Sequence, residues 1–327
     1  RTNIKHSLLK YFGSPESIWN ADPVQLRELP FIDAGIYGQL LNEEARMACE
    51  GFPEKLSALN IDAVTYEDPM YPSKLKEIFD PPVVLYTKGK LLPNEPMIAI
   101  VGSRRADAYG RTVAERLAYD LASFGVTIVS GMARGIDSFA HVGALDAGGR
   151  TAAVMGCGLD VVYPPEHKGL FSEIEKEGVL ISEYPPGMSP LRQNFIARNR
   201  IISGLSYGVV VVEAGKKSGS LITSNYALEQ GREVFSVPGD ITSRYCAGTN
   251  ALIKDGARIV TEAGDILEEL GWGRNCGSSD ERKNQADPIT EGLSKEERCL
   301  VEQLRDGRMH FDEIEAKTGI EIGNLNT

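Results

Sequence analysis

Short apolar runs alternate with amphipathic helical patterns from residue 97 to about residue 270. The runs are nearly continuous in apolar and β-branched residues, which is typical of strands buried on both faces of a sheet. Strands that alternate with helices predict an α/β fold with a doubly wound, Rossmann-like and mostly parallel sheet. The predicted strands are Met97–Val101, Val126–Ser130, Thr151–Met155, Val179–Ser182, Gly208–Glu213 and Glu233–Val237, with Ile259–Val260 as a weaker seventh.

The pattern changes on both sides of this segment. Residues 1–60 contain short amphipathic runs between glycine and proline breaks, which predicts a small helical module of the SAM or helix-hairpin-helix kind. The alternative is a packing or interaction appendage. Asn60–Thr65 and Val83–Thr87 are two further predicted strands that extend the sheet, so we expect one domain over residues 61–272.

The end of the chain is predicted to hold a linker and a further module. Residues 273–288 are polar and nearly free of large apolar side chains, which indicates a flexible linker. Residues 289–327 contain two amphipathic helical patterns that resemble the first part of a winged helix. We expect this module to be incomplete because no wing strands follow. The chain starts at Arg1, so we also expect residues before it.

Composition excludes several classes of protein. The 327 residues carry a formal net charge of −11, which argues against indiscriminate nucleic-acid binding but not against a local basic groove. No apolar run reaches the length of a membrane span, and no signal peptide is visible. The cysteines lack CxxC spacing, and the four histidines are scattered, so we expect reduced thiols, a cytoplasmic location and no metal centre.

Basic residues concentrate in the turns that follow the predicted strands. In a doubly wound sheet these turns meet at the carboxyl edge, where ligands bind. Four basic turns at one edge are able to line a continuous track for an anionic ligand. They lie at residues 102–104, 131–137, 192–200 and 213–220.

The first of these turns is the strongest candidate for phosphate binding. Gly102, Ser103 and Arg104 separate a strand from a helix that is predicted to begin near Ala108. The free N–H groups of a helix start favour an anion, and a guanidinium offers a fork of donors that suits phosphate. The alternative is an ordinary strand–helix turn with a surface arginine.

The other turns add cations and one aromatic ring. In the second turn, either Asp137 or Ser138 is expected to cap the following helix. Lys168 and Phe171 share a helix face, so a phosphate contact and base stacking are expected side by side. The alternative is a core phenylalanine beside a solvated lysine. The segment 192–200 holds three arginines and two asparagines, and the turn at 213–220 adds two lysines.

Taken in order, the turn motifs closely resemble the DprA (Smf) family over about residues 60–270. The motifs are GSR (102–104), SGMARGID (130–137), the Tyr163-Pro164 turn, SEYP (182–185), ARNRII (197–202), GSLIT (219–223), VPG (237–239) and GTN (248–250). The resemblance implies an extended Rossmann fold, a homodimer, binding of single-stranded DNA and loading of the RecA recombinase during natural transformation.

The resemblance also implies a set of DNA-binding residues. Arg104, Lys168, Phe171, Lys217, Ser218 and Gly219 match or neighbour the family's DNA pocket, and Arg198, Asn199 and Arg200 match its ARNR motif. One departure is His167, where the family often has asparagine. With the turn residues added, the candidate nucleic-acid-binding residues are Gly102, Ser103, Arg104, Arg134, Lys168, Phe171, Arg198, Asn199, Arg200, Lys217, Ser218, Gly219 and Ser220.

Three other functions are alternatives to DNA binding. The sheet is similar to that of phosphoribohydrolases of the lysine-decarboxylase-like group, but Thr223 stands where their catalytic glutamate is expected. A nicotinamide-dependent dehydrogenase is disfavoured because the first turn lacks GxGxxG. A nucleotide-binding sensor remains an alternative. We therefore expect a non-catalytic protein, without a cofactor, that binds and protects single-stranded DNA and helps to load RecA.

Overall fold

The computed structural model describes residues 4–272, so the predicted linker and the predicted winged-helix-like module lie outside the described residues. All described residues fall into one compact unit. Among them, no helix has both the length and the apolar composition that crossing a membrane requires.

Six short helices form the first part of the described chain. Side chains of Ser14, Asp22 and Asp33 accept hydrogen bonds from backbone N–H groups at three of the helix starts, so local capping sets these boundaries. A small core of Leu8, Leu26 and Leu29 holds the early helices together. The helices are α1 (Ile4–Phe12), α2 (Pro15–Trp19), α3 (Pro23–Glu28), α4 (Ala34–Leu40), α5 (Glu43–Glu50) and α6 (Phe52–Ala58). The domain boundary at residue 60 stays a prediction.

A nine-stranded sheet follows within the described residues and confirms the predicted fold class. Its strands are β1 (Asp62–Thr65), β2 (Val84–Gly89), β3 (Met97–Val101), β4 (Thr127–Ser130), β5 (Thr151–Met155), β6 (Val179–Ser182), β7 (Gly208–Val211), β8 (Glu233–Ser236) and β9 (Arg258–Ile259). The spatial order is β1-β2-β6-β5-β4-β3-β7-β8-β9. The β1–β2 and β2–β6 pairs are antiparallel, whereas the other pairs are parallel. The two early strands therefore extend the sheet, as predicted.

Helices cover both faces of this sheet. Alternate residues of β3 point to opposite faces, so Ala99 packs in one core and Ile98 in the other, and the whole strand is apolar. The remaining helices are α7 (Ser73–Lys76), α8 (Ala108–Ser123), α9 (Ile136–Asp146), α10 (Lys168–Glu177), α11 (Arg192–Leu205), α12 (Ser220–Glu229), α13 (Ala247–Lys254) and α14 (Ala263–Glu269). A single 3-10 turn, Pro165–His167, precedes α10.

The strand order determines where a ligand site forms. The chain proceeds from β3 to β4 in one direction along the sheet and later returns to place β7 on the other side of β3. The turns after β3 and β7 therefore diverge and leave a crevice at the carboxyl ends of the strands. This crevice is the usual ligand position in an open α/β sheet.

Candidate nucleic-acid interface

A cleft of about 1150 Å³ opens at this switch point. Its walls come from the loops that follow β3, β4, β5, β7 and β8 and from parts of α11 and α12. The structure brings nine of the thirteen candidate residues into it. They are Gly102, Ser103, Arg104, Arg198, Asn199, Lys217, Ser218, Gly219 and Ser220.

Six exposed cations give the cleft a positive character. Within residues 4–272, none of the six forms an ion pair with a carboxylate. Unpaired cations around a concave surface attract anions even where the net charge of the chain is negative. The six are Arg104, Arg105, Arg192, Lys216, Lys217 and Arg244. Only Arg104 and Lys217 were among the predicted site residues, whereas Arg192 and Lys216 lie within predicted basic turns and Arg105 and Arg244 do not.

The helix start after β3 is not a free anion site, in contrast to the prediction. The Asp107 side chain accepts from Gly110 N at 3.0 Å, and Glu213 Oε2 accepts from Asp107 N at 3.3 Å. The Glu213 carbonyl also accepts from Ser103 N at 2.7 Å. The protein's own carboxylates thus occupy the start of α8. The Arg104 and Arg105 side chains are the cations of this turn that are available to an anion.

Glu213 has an unusual position for a carboxylate. Its side chain is fully buried, and its Oε1 atom has no hydrogen-bond partner among the described residues. Burial raises the pKa of Glu213, and the nearby Asp107 carboxylate raises it further. The folded chain therefore holds a proton on Glu213 at pH values where the unfolded chain releases it.

We expect the Glu213→Gln variant to remove a pH dependence of stability. Because the folded pKa of Glu213 is raised, its favourable contribution is complete at low pH and is lost as pH rises through that pKa. The stability of the natural chain relative to the variant should therefore fall as pH rises from the unfolded pKa of a glutamate through the raised folded pKa. Urea unfolding across this range measures the effect. A difference that does not change with pH would contradict the assignment.

The loop after β4 packs directly on the loop after β3. Gly135 adopts a φ of 77°, and a Cβ there would lie 2.2 Å from the Ser103 carbonyl oxygen, so only glycine fits. Ile136 N donates to this same carbonyl at 3.1 Å. The predicted cap by Asp137 or Ser138 is wrong, because Gly135 is the N-cap residue and has no side chain to cap the helix. Asp137 instead accepts from Gly131 N and Ala133 N.

Arg198 lies beneath the cleft and is 3% exposed, so it is not a free cation. Its Nη1 group donates to the Gly131 carbonyl at 2.8 Å and to the Val154 carbonyl. Burial lowers the pKa of Arg198 to about 10, whereas the Asp137 charge raises it. Arg198 therefore holds together the ends of β4 and β5, and its Nε donates to the Asn199 side chain at 3.2 Å.

Two further predicted arginines lie outside the cleft. Arg200 is paired with Glu183 at 2.9 Å and with Asp80 at 3.4 Å. Arg134 is exposed and forms an ion pair with Glu166. Both charges are balanced within the protein. In the predicted basic cluster at 192–200, Arg192 is exposed, Arg198 is buried and Arg200 is paired with carboxylates.

The structure contradicts the stacking role predicted for Phe171. Its ring is 5% exposed and packs in a core with Met155, Ile174 and Leu180. Lys168 is exposed, but neither residue lines the cleft. The interpretation of a core phenylalanine beside a solvated lysine is therefore the better one. Beside this helix, the His167 Nδ1 atom lies 3.1 Å from the Met132 carbonyl, so this departure from the family pattern keeps a polar contact.

The aromatic surface of the cleft is formed by other residues. The half-buried rings of Tyr163 and Phe195 lie 5.2 Å apart with an interplanar angle of 39°. The Arg198 guanidinium carbon lies 5.8 Å from the centre of the Phe195 ring. Sequence reasoning missed Phe195, although an aromatic residue within a run of arginines is a recognisable signal of nucleic-acid binding.

The first residues of α12 line the cleft, and two lysines lie just before them in the chain. Gly219 is the N-cap residue and has no side chain to cap the helix, and the Ser218 hydroxyl accepts from Ser220 N at 3.4 Å. Lys216 and Lys217 precede it and are exposed. The serine hydroxyls and the two lysines beside this helix start are able to bind an anion. Thr223, at the position of the glutamate expected in a phosphoribohydrolase, is nearly fully buried.

The sheet domain is similar in sequence to a known family of proteins. A family model described as DNA recombination-mediator protein A matches residues 62–271. The DNA processing protein DprA of Bacillus subtilis is 41% identical over 261 residues, which cover 77% of this chain and 88% of that protein. The DprA protein of Streptococcus pneumoniae is 47% identical over 204 residues, or 62% of this chain and 72% of that protein.

Two solved structures are similar in fold and sequence. The X-ray structure of DNA processing protein A from Streptococcus pneumoniae has a TM-score of 0.71 and 36% identity, and it covers 82% of this chain and 93% of that one. A structure of DNA processing protein A from Helicobacter pylori has a TM-score of 0.58 and 32% identity, with 64% and 95% of the two chains covered. The latter describes a single-stranded DNA binding mode.

Proposed function

Because this chain belongs to the DNA recombination-mediator protein A family, we propose that it is a DNA processing protein that binds single-stranded DNA in the cleft. The proposal extends to the protection of incoming single strands and to loading of the RecA recombinase in natural transformation. The single-stranded DNA binding described for the Helicobacter pylori relative supports this assignment.

The distribution of charge and aromatic rings within the cleft is the observation that carries the proposal. Unpaired cations from the loops after β3 and β7 line one part, whereas Tyr163 and Phe195 line another. A single strand offers phosphates to the cations and unpaired base faces to the rings. A duplex keeps its base faces stacked, so it is unable to use the aromatic part. Binding should therefore be sequence-tolerant and sensitive to salt.

We propose binding rather than catalysis for this cleft. The one carboxylate among the described lining residues is Asp137, which is buried, accepts from two backbone N–H groups and faces Arg198. A general base must reach its substrate, and Asp137 is turned towards its own loop. The alternative functions are a nucleotide-binding sensor and a phosphoribohydrolase-like enzyme, and both predict tight binding of a mononucleotide.

A homodimer in the cytoplasm is the proposed working form. Two linked clefts that engage one strand would gain avidity over a single cleft. The segments Ala227–Val237 and Leu252–Leu267 are the candidate dimer surfaces, and each carries an exposed apolar side chain, Leu228 and Ile259 respectively. The oligomeric state of the purified chain, with and without charge substitutions at these two positions, tests this part of the proposal.

The function is tested by titrating the purified chain with fluorescent oligo-dT of increasing length and with duplex DNA of the same length, at two salt concentrations. We expect affinity to rise with the length of the single strand, to fall with salt and to exceed duplex affinity. Length-independent binding, or efficient competition by a mononucleotide, would instead favour the sensor or enzyme alternatives.

A further inference from the structure

The loop between β8 and α13 forms a second edge of the cleft. Its residues Arg244 and Tyr245 line the cleft, although no sequence motif pointed to them. The Arg244 guanidinium carbon lies 4.9 Å from the centre of the Tyr245 ring, and Nη2 donates to the Tyr245 hydroxyl at 2.9 Å. The guanidinium lies over the ring, so a cation and an aromatic group are held together, the combination that the sequence predicts for Lys168 and Phe171.

The loop is held at both of its ends. Gly239 N donates to the Asn250 side chain at 3.2 Å, and the Asn250 amide donates back to the Gly239 carbonyl at 3.0 Å. Gly248 N donates to the Ala214 carbonyl at 2.7 Å, which ties this segment to the loop after β7. The GTN motif therefore has a structural role, and it fixes the position of Arg244 and Tyr245 at the edge of the cleft.

The two aromatic surfaces follow strands that lie on either side of β3 and β7 in the sheet. A Cβ at Gly156, just after β5, would lie 2.7 Å from the Phe195 ring, so this ring covers the end of β5. The Arg244–Tyr245 loop follows β8, which is four strand positions away in the sheet. The strands β5 and β8 are thus four inter-strand spacings of about 4.8 Å apart, or about 19 Å. This distance is longer than a single nucleotide step, which is about 3.4 Å along a duplex strand.

We propose that Arg244 and Tyr245 form a second contact point for single-stranded DNA, with the ring stacking on a base and the guanidinium meeting a neighbouring phosphate. This inference rests on the proposed function, since it assigns further residues to the same bound strand. The strand then crosses the cleft from Phe195 past the loops after β3 and β7 to the β8 loop. Affinity depends on the length of the strand because a short strand is unable to reach both ends.

The test compares Tyr245→Ala, Tyr245→Phe, Arg244→Ala and Arg244→Lys with the natural chain, using the dinucleotide pTpT and an oligo-dT of about 12 nucleotides. Tyr245→Ala should weaken binding of the long probe about tenfold, because a base no longer has a ring to stack on. Tyr245→Phe should bind nearly as the natural chain does, since the ring remains. Arg244→Ala should weaken binding of the long probe by about tenfold and make the affinity less dependent on salt. The affinity of Arg244→Lys should lie between those of Arg244→Ala and the natural chain.

A control variant and a comparison of the two probes show whether any loss of affinity arises at Arg244 and Tyr245. Arg116→Ala, at a side chain that is 73% exposed on α8 and outside the cleft, removes the same charge and should leave affinity unchanged. Each alanine variant should also reduce the gain in affinity between pTpT and the long probe. If the Arg244 and Tyr245 variants bind the long probe as the natural chain does while Arg104→Ala binds weakly, the second contact point is wrong and the proposed function stands. If the natural chain binds no oligonucleotide, the proposed function itself fails.

Discussion

Replacing Arg104 and Lys217 together by alanine is expected to weaken single-stranded DNA binding by about 3–6 kcal/mol, because each residue supplies a charge-assisted hydrogen bond of about 1.5–3 kcal/mol. Arg104 and Lys217 are exposed on the loops after β3 and β7 and are not used in ion pairs within residues 4–272. Their replacement leaves the fold intact while removing charge from the centre of the cleft. Fluorescence anisotropy with labelled oligo-dT measures the change.

The double variant has a matched control and a second readout. Arg116→Ala combined with Lys10→Ala removes the same charge from exposed positions outside the cleft, so its binding should equal that of the natural chain. The salt dependence of the Arg104/Lys217 variant should also become shallower, by about 0.7 in the log–log slope for each phosphate that the protein no longer neutralises. Equal affinities for the two double variants, both folded, would remove Arg104 and Lys217 from the DNA site.

Replacing Arg198 by alanine is expected to destabilise the fold by about 2–6 kcal/mol, because two buried acceptors lose their donor at about 1–3 kcal/mol each. These acceptors are the carbonyl groups of Gly131 and Val154, which share the Arg198 Nη1 group. Both carbonyls lie at strand ends that shape the floor of the cleft. Urea unfolding followed by circular dichroism measures the loss of stability.

The destabilisation of the Arg198→Ala variant should grow with pH. Burial raises the pKa of Asp137, and the Arg198 charge acts in the opposite direction, so removal of Arg198 raises this pKa further. A carboxyl group with a raised folded pKa stabilises the fold at low pH and loses this contribution as pH rises through that pKa. Asp137→Asn in the Arg198→Ala background should abolish the trend. A stability deficit that does not change with pH would show that Arg198 does not act through Asp137.

The family resemblance seen in the turn motifs is confirmed by the match over residues 62–271. The agreement has a physical basis in the glycines of those motifs. Gly135 is required because its φ is positive and the Ser103 carbonyl occupies the space of a side chain. A Cβ at Gly131 would lie 2.6 Å from the Arg198 guanidinium and would displace that group from its hydrogen bonds. A glycine at such a position is recognisable in the sequence, because a side chain there would clash with its neighbours or disrupt their contacts.

The environments of individual charged residues are not encoded in the local sequence as the strands are. From the sequence, Arg198, Arg200 and Arg192 differ little, but the first is buried under the cleft, the second is paired with Glu183 and Asp80, and the third is an unpaired cation facing the cleft among the described residues. The partners of Arg198 and Arg200 lie far away along the chain. The spacing of residues along one helix carries no information about such partners.

The sequence by itself determined the strands, the doubly wound sheet and the edge at which the site lies, because apolar periodicity and turn residues act over short stretches of chain. Only the tertiary structure decided which cations are free, that Glu213 occupies the helix start after β3, and that Phe195 rather than Phe171 offers a ring. Those outcomes depend on contacts between residues distant in sequence. Such contacts decide whether a side chain is buried, paired or open to a ligand.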